Sequence, residues 1–394
     1  MNPTYTEVLV RYGEIGIKSK QTRKRMEALL ISHIKSALRE KEVAFSNIRR
    51  EYGRIFIATA NAGEVAKVAS KIFGVVSVSP VVVAAANMES IIDIGISLAK
   101  SQFENAKSFA VGARRIGTHD FSSQDVREKL GAAIMTRMKD SNLSVNLSSP
   151  DQSIYVEVRN DRGYLFTETI DGVGGMPTGS QGKVVCTLSS GLDSPIAAFK
   201  VMKRGCIPVF VNFDNTPYVG DECSQLVIDQ AQLLANYIHN NEVKLYIVPH
   251  GDDLADAEAH GPPKMICLFC KRNMLRMARE IAIAEDADAI VTGEIIGEQA
   301  SQTTMNLRAI NTAVCDFPIL RPCAGDDKSD IEALAHEIGT YKFAEEGLSC
   351  CTLAPKYPVT WGKVSDVHAA ETDMNLDILR KQVEQARVVT LRTK

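Results

Sequence analysis

Residues 187 to 197 read Thr-Leu-Ser-Ser-Gly-Leu-Asp-Ser-Pro-Ile-Ala, directly after the apolar run Val184-Val185-Cys186. A strand that passes through a Ser/Gly loop into a helix aims several backbone N–H groups, and the positive end of the helix dipole, at one point. An anion such as a pyrophosphate fits there. Asp193 or Ser194 can cap the helix, Pro195 suits its first turn, and Gly205 after Arg204 can close its far end. The loop is neither G-x-x-x-x-G-K-[ST], since no Lys follows the glycine, nor G-x-G-x-x-G.

The nine cysteines all lie between Cys186 and Cys351. Cys267-Leu-Phe-Cys270 has a metal, cluster or redox spacing, and Lys271-Arg272 beside it would lower the thiol pKa values. One C-x-x-C cannot complete a tetrahedral zinc site, but Cys351, with Cys350 as its neighbour, can provide a third thiolate. Three thiolates leave one iron of a cluster without a protein ligand, where exogenous sulfide could bind. The alternative is that Cys267 and Cys270 are small core residues or a redox pair. Cys186, Cys206 and Cys315 lie in apolar surroundings and read as core, while Cys223 and Cys323 stay unassigned. The seven histidines form no spaced cluster, and His250, at a strand end, reads as a core histidine.

The elements that must position these residues follow from length and patterning. A chain of 394 residues is expected to hold two or three domains. Its first twenty residues lack the apolar core of a secretory signal, and no run of about 18 apolar residues offers a membrane span, so a cytoplasmic protein is expected. Reduced thiols, rather than a disulfide framework, fit that compartment. Net charge is −3, yet residues 1 to 54 hold twelve Lys/Arg against six Asp/Glu. Such a patch either is a solvated face or attracts phosphates in a salt-sensitive way.

Up to about residue 171, strands and amphipathic helices mix as in small α+β domains, with a first block over 1–61 and a second over 62–171. Gly172 to Gly182 carries five glycines and a proline, and reads as a linker or hinge. From 183 to 394 the pattern is regular β-α-β: strands 183–189, 207–213, 243–249, 289–292 and 317–321, and helices 194–204, 222–240, 268–285 and 329–338. That is the signature of an α/β doubly wound parallel sheet, with ligands at the carboxyl ends of its strands.

Ser189-Ser-Gly-Leu-Asp193-Ser194 resembles the S-G-G-x-D-S loop of the PP-loop ATP pyrophosphatases, of the adenine nucleotide alpha hydrolase-like fold. Ser190 departs from the family's first glycine. If that position needed a positive φ, serine would cost about 1–2 kcal/mol. Val291-Thr-Gly-Glu-Ile-Ile-Gly-Glu-Gln-Ala-Ser-Gln302, Arg321-Pro-Cys-Ala-Gly-Asp-Asp-Lys328 and Cys350-Cys-Thr-Leu-Ala-Pro-Lys-Tyr-Pro358 are similar to signatures of the tRNA 4-thiouridine synthetases. Val10-Arg-Tyr-Gly-Glu-Ile-Gly-Ile-Lys18 resembles the opening of that family's ferredoxin-like domain, and the block to about Glu168 its RNA-binding THUMP domain. Some members add a rhodanese domain with a persulfide-bearing cysteine; the 33 residues after Trp361 are too few for one.

The resemblance implies ATP-dependent conversion of a tRNA uridine, at position 8, to 4-thiouridine. O4 attacks the α-phosphate of ATP, pyrophosphate leaves, and sulfur then displaces AMP. It implies catalytic roles for Asp193 (as a Mg²⁺ ligand), Lys328 (against charge on the α-phosphate) and Cys351. Thr187, Leu188, Ser189, Gly191, Ser194, Asn212, Phe213, Lys271, Gly293 and Gln302 would bind ATP. Cys267, Cys270 and Cys351 resemble the cluster ligands of rhodanese-lacking members. Lys18, Arg23, Lys24, Arg114 and Arg115 would meet tRNA phosphates, although Arg114-Arg115 also reads as a solvated turn. The expected partners are tRNA, a sulfur donor (a cysteine desulfurase persulfide or sulfide) and a second copy in a homodimer, with no membrane. Two other readings keep the same motifs: 2-thiolation of a pyrimidine, or an RNA-binding protein whose loop is degenerate at Ser190. A role in thiazole synthesis is not expected without a rhodanese domain.

Overall fold

The structure is a computed structural model that describes residues 4–220, 222–345 and 351–392; the reading of Cys350 lies outside the described residues. The chain divides into two compact units, Met1–Gly175 and Met176–Lys394.

The first unit runs β1 (Glu7–Arg11), α1 (Lys20–Glu40), β2 (Asn47–Glu51), β3 (Arg54–Ala58), α2 (Ala62–Ser70) and β4 (Ser77–Ala85). It continues with α3 (Met88–Gln102), β5 (Ser108–Ile116), α4 (Ser123–Arg137), β6 (Ser144–Val145), β7 (Gln152–Arg159), β8 (Arg162–Phe166) and β9 (Ile170–Asp171). Its sheet has the order β2-β3-β1-β4-β8-β7-β5-β6, with β9 on β4. The apolar stripe Met26, Leu30, Ile34 and Leu38 buries one face of α1, whose first turn is capped by Ser19. Ile91 and Leu98 of α3 meet Val126, Leu130 and Ile134 of α4 over the strands. Leu9 and Phe56 join Tyr164 and Phe166, with the Phe56 and Tyr164 rings stacked at 4.4 Å. The boundary read at residue 61 separates α2 from its neighbours, because Val65, Ala66 and Ala69 are fully buried and the helix packs on α1, β1 and β4.

Residues of the stretch read as a linker bond within the unit to which each belongs. Val173 N donates to Ser70 O (2.9 Å) and Gly174 N to Val75 O (2.8 Å), while Met176 N donates to Lys203 O (2.9 Å) and Gly179 N to Gly205 O (2.9 Å). A Cβ on Gly172 would stand 2.3 Å from Val75 O, which is why that position is glycine.

The second unit runs β10 (Lys183–Thr187), α5 (Asp193–Lys203), β11 (Ile207–Asp214), α6 (Glu222–Ala235), β12 (Val243–Pro249), α7 (Gly251–His260), α8 (Ile266–Ala284) and β13 (Ala289–Val291). It ends with α9 (Thr304–Asn311), β14 (Ile319–Leu320), α10 (Lys328–Ile338), α11 (Tyr341–Glu345), α12 (Val364–Glu371), α13 (Asp377–Glu384) and β15 (Arg387–Leu391). The sheet order is β14-β13-β10-β11-β12-β15, all parallel except β15, which pairs antiparallel with β12. Val185, Val209, Val211 and Val248 pack against Leu275, Met277, Ala278 and Ile281 of α8. Because β10 sits between β11 and β13, successive strands depart from it in opposite directions. The crevice outside its carboxyl end is therefore the topological switch point, where α/β sheets place ligands.

Candidate active site

Neither Asp193 nor Ser194 caps α5, which starts without a side-chain cap. Ser194 turns back into the loop, its Oγ accepting from Ser189 N at 2.9 Å. First-turn N–H groups are thus not occupied by a cap, which is the state an anion site needs. Ser190 is absent from the described non-glycine residues with positive φ, so serine fits this backbone without left-handed strain. Gly205 has φ +94° and closes the helix as expected.

At the switch point lies a cavity of about 320 Å³. All ten residues expected to contact ATP line it, drawn from five separate stretches of chain: Thr187, Leu188, Ser189, Gly191 and Ser194; Asn212 and Phe213; Lys271; Gly293; and Gln302. Asp193 lines it too. Asn212 is held by its Nδ2, which donates to Leu188 O at 3.0 Å. A Cβ on Gly293 would lie 2.7 Å from Ser194 N and Cα, so glycine there lets the end of β13 close on the phosphate-type loop.

Lys328, at the start of α10, reaches across to Asp193 (2.7 Å) and Glu298 (2.8 Å). Burial opposes its charge, but the hydrogen bonds to the two carboxylates outweigh it and its pKa is raised. Burial also pushes the Asp193 carboxyl up, against the lowering effect of Lys328. Glu294 is nearly buried, yet Lys271 (3.4 Å) and Arg321 (3.1 Å) hold its carboxyl below the usual range. Glu294 and Glu298 escaped the reading of the motif 291–302, where only Gly293 and Gln302 were singled out; an acidic residue one step beyond the strand-end glycine was the available signal.

The thiols behave differently from the expectation set by Lys271-Arg272. Burial and the nearby Cys351 raise Cys267; burial, Asp253, Cys267 and Cys351 raise Cys270, with Lys271 too weak to reverse either. Arg272 is committed elsewhere, its Nε and Nη2 donating to Glu371 at 2.9 and 2.7 Å. The structure thus brings Cys267, Cys270 and Cys351 into one electrostatic neighbourhood. Among the described residues no three His, Cys, Asp or Glu side chains converge to hold a single metal ion. His250 is buried, as read, but not isolated: its Nε2 lies 3.5 Å from Cys270 Sγ and its Nδ1 2.7 Å from Asp253 Oδ1. Cys186 is core as expected; Cys315 is exposed instead.

In the first unit Lys18 precedes the Ser19 cap of α1 and Arg23 and Lys24 lie near the start of the helix, with the Arg23 guanidinium 4.7 Å from the centre of the exposed Tyr52 ring. Arg114 and Arg115 are on β5, in a sheet that curls enough for Arg54 of β3 to meet Glu157 of β7 at 3.0 Å and for Arg159 of β7 to donate to Tyr52 O at 2.9 Å.

The profile of the Thiamine biosynthesis protein (ThiI) family matches residues 179–376, that of the ThiI ferredoxin-like domain 7–79, and that of the THUMP domain 85–168. A protein of Methanobrevibacter smithii named "Probable tRNA sulfurtransferase" is 38% identical over 94% of this chain and 96% of its own length. One of Methanosarcina mazei with the same name is 36% identical over 98% and 95%. The crystal structure of a 4-thiouridine synthetase–RNA complex with bound ATP superposes with a TM-score of 0.86, at 30% identity, over 98% of this chain and 100% of that one. With three domains matched in order and near full-length similarity to curated relatives, the chain belongs to the ThiI family of tRNA sulfurtransferases.

Proposed function

We propose that this chain makes 4-thiouridine in tRNA, at position 8, at the expense of ATP. The observation that carries the reading is the cavity at the switch point, which gathers ten residues from five stretches behind a loop whose helix N-terminus has no side-chain cap. In this reading the 189–194 loop takes the pyrophosphate portion, Lys328 faces the α-phosphate, and uridine O4 attacks that phosphorus as pyrophosphate leaves. Hydrosulfide then adds at C4 and AMP departs. Mg²⁺ commonly binds through one or two carboxylates plus substrate phosphates, and Asp193, half-buried and already paired with a cation, suits that role. It would neutralise phosphate charge.

Cys267, Cys270 and Cys351 would hold an iron–sulfur cluster, whose chemical contribution would be an iron open to external sulfide. What supports this reading is the placing of Cys267 and Cys270 three residues apart on α8, with Cys351 a third thiol of the same unit. The contact of Cys270 with the His250–Asp253 pair favours a second reading of the same thiols, as a relay receiving persulfide from a cysteine desulfurase. The five basic residues of the first unit would meet tRNA phosphates, and a cytoplasmic homodimer completes the proposal. The test is purified protein with ATP, Mg²⁺, sulfide and tRNA. AMP, pyrophosphate and a tRNA nucleoside heavier by about the oxygen-to-sulfur difference should appear together. A mass gain on a 2-thio nucleoside, or no ATP turnover, would overturn it.

A further inference from the structure

The motif that opens at Cys351 continues to Lys363 as Cys-Thr-Leu-Ala-Pro-Lys-Tyr-Pro-Val-Thr-Trp-Gly-Lys, without a single acidic residue. It runs as a strap fastened at both ends beside the cavity. Thr352 N donates to Tyr218 O (3.0 Å), three residues beyond the cavity-lining Asn215. At the other end Thr303, which follows the cavity-lining Gln302, donates from Oγ1 to Thr360 O (2.6 Å). The fully buried Asn306 donates from Nδ2 to Val359 O (2.8 Å) and accepts from Gly362 N (2.8 Å). Gly362 has to be small, since a Cβ would meet Asn306 Oδ1 and Leu268 Cδ1 at 2.9 Å.

This rigid backbone displays two aromatic rings to solvent, Tyr357 at 69% and Trp361 at 74% exposure. Trp is normally among the well-buried side chains, and two rings held outward by a pinned strap mark an interaction surface. Cations accompany them: Lys356 Nζ sits 5.5 Å from the Tyr357 ring centre, Lys363 is exposed, and so is Lys264, whose carbonyl accepts from Val359 N at 3.0 Å. Exposed aromatics interleaved with lysines, free of carboxylates, fit a polyanion that carries flat faces, namely an RNA strand with an unstacked base. Chemistry at a base edge requires that the base leave its stack, and the strap starts at a cysteine assigned to sulfur delivery.

Building on the proposed function, we propose that Tyr357 and Trp361 are the platform on which the second unit stacks an unstacked nucleotide of its RNA substrate, beside the cavity. Trp361 is the only tryptophan in the chain, so its emission reports on this surface alone. Titrating an unmodified tRNA transcript into the full chain should quench that emission with the midpoint seen by gel shift. Trp361→Ala and Tyr357→Ala should each lower kcat/KM for tRNA about 10-fold, within the range of one lost base–aromatic stack, and Trp361→Phe should restore most of it. ATP binding without RNA should be unchanged in all three. Emission indifferent to saturating tRNA, or wild-type kcat/KM in both alanine variants, overturns the platform. Emission that changes with protein concentration alone assigns the surface to a second copy and overturns it as well. Absence of any tRNA binding or ATP turnover by the wild type is a different result, since it removes the underlying function.

Discussion

Asp193 and Lys328 lie 135 residues apart in sequence and 2.7 Å apart in space. Each alone is an ordinary residue at a helix start; together they set a carboxylate and an ammonium at the edge of a phosphate-type loop. Asp193→Ala should abolish AMP and pyrophosphate release while leaving tRNA affinity intact, because the basic groups lie in the other unit; filter binding beside an AMP assay checks both. Lys328→Ala should slow adenylation by about 10²–10³, the usual loss when one preorganised group stops stabilising developing charge. A smaller loss would mean that Lys328 serves Asp193 and Glu298 structurally. For the thiols, alanine at Cys267, Cys270 or Cys351 should remove thiolation while ATP turnover survives. If a cluster is present, iron is lost equally in all three, whereas a relay leaves Cys351 essential in iron-free protein. Full activity in all three variants defeats both.

At the scale of elements, α8 carries the cavity's Lys271 and, one residue on, the anchor of the C-terminal helices. Arg272 and Arg276 both grip Glu371 of α12, with Arg276 Nη1 and Nη2 at 2.6 and 2.7 Å. Burial would raise the Glu371 carboxyl, but these bonds outweigh it and bring the pKa to about 2, from an ordinary 4.5. A depressed folded-state value means the stabilisation is complete above pH 4.5 and is lost as pH falls toward 2. Discounted for solvent at the rim, it amounts to about 2 kcal/mol. Urea midpoints should therefore drop across that window, and Glu371→Gln should flatten the drop while lowering stability at pH 7, since it leaves Arg272 buried without its full charge partner. Gly293→Ala tests a different junction. Its Cβ would press on Ser194, so ATP affinity by calorimetry should fall while circular dichroism stays native. The sequence disclosed this junction well: the strand-loop-helix at 183–204 and the glycine after β13 follow local rules, and a lone Ser190 gave no strain. It disclosed α12, α13 and β15 poorly, because their stability comes from distant partners such as Arg272 and β12. The thiol environment was also hidden, since burial, which opposes Lys271, is a property of packing and not of spacing.

The whole molecule separates charge by unit. Through Gly175 the chain has 24 Lys/Arg against 19 Asp/Glu, a net +5; beyond it, 21 against 29, a net −8. A near-neutral total thus conceals one unit that attracts polyanions and one that repels them except at local cationic surfaces. Residues 1–175 have their own sheet and cores, so they should fold and bind tRNA alone. The five basic residues named on this unit make the salt dependence informative. If Lys18, Arg23, Lys24, Arg114 and Arg115 each neutralise one phosphate, log K should fall against log salt with a slope of about −4, a weakening of about 250-fold between 50 and 200 mM. Replacing Arg114 and Arg115 by Ala should then make the slope shallower by nearly two, and replacing Lys18, Arg23 and Lys24 by nearly three. A wild-type slope of about −2 or −3, moved by only one of these sets, would confine tRNA contact to that set. A slope near zero would remove the first unit from tRNA binding altogether.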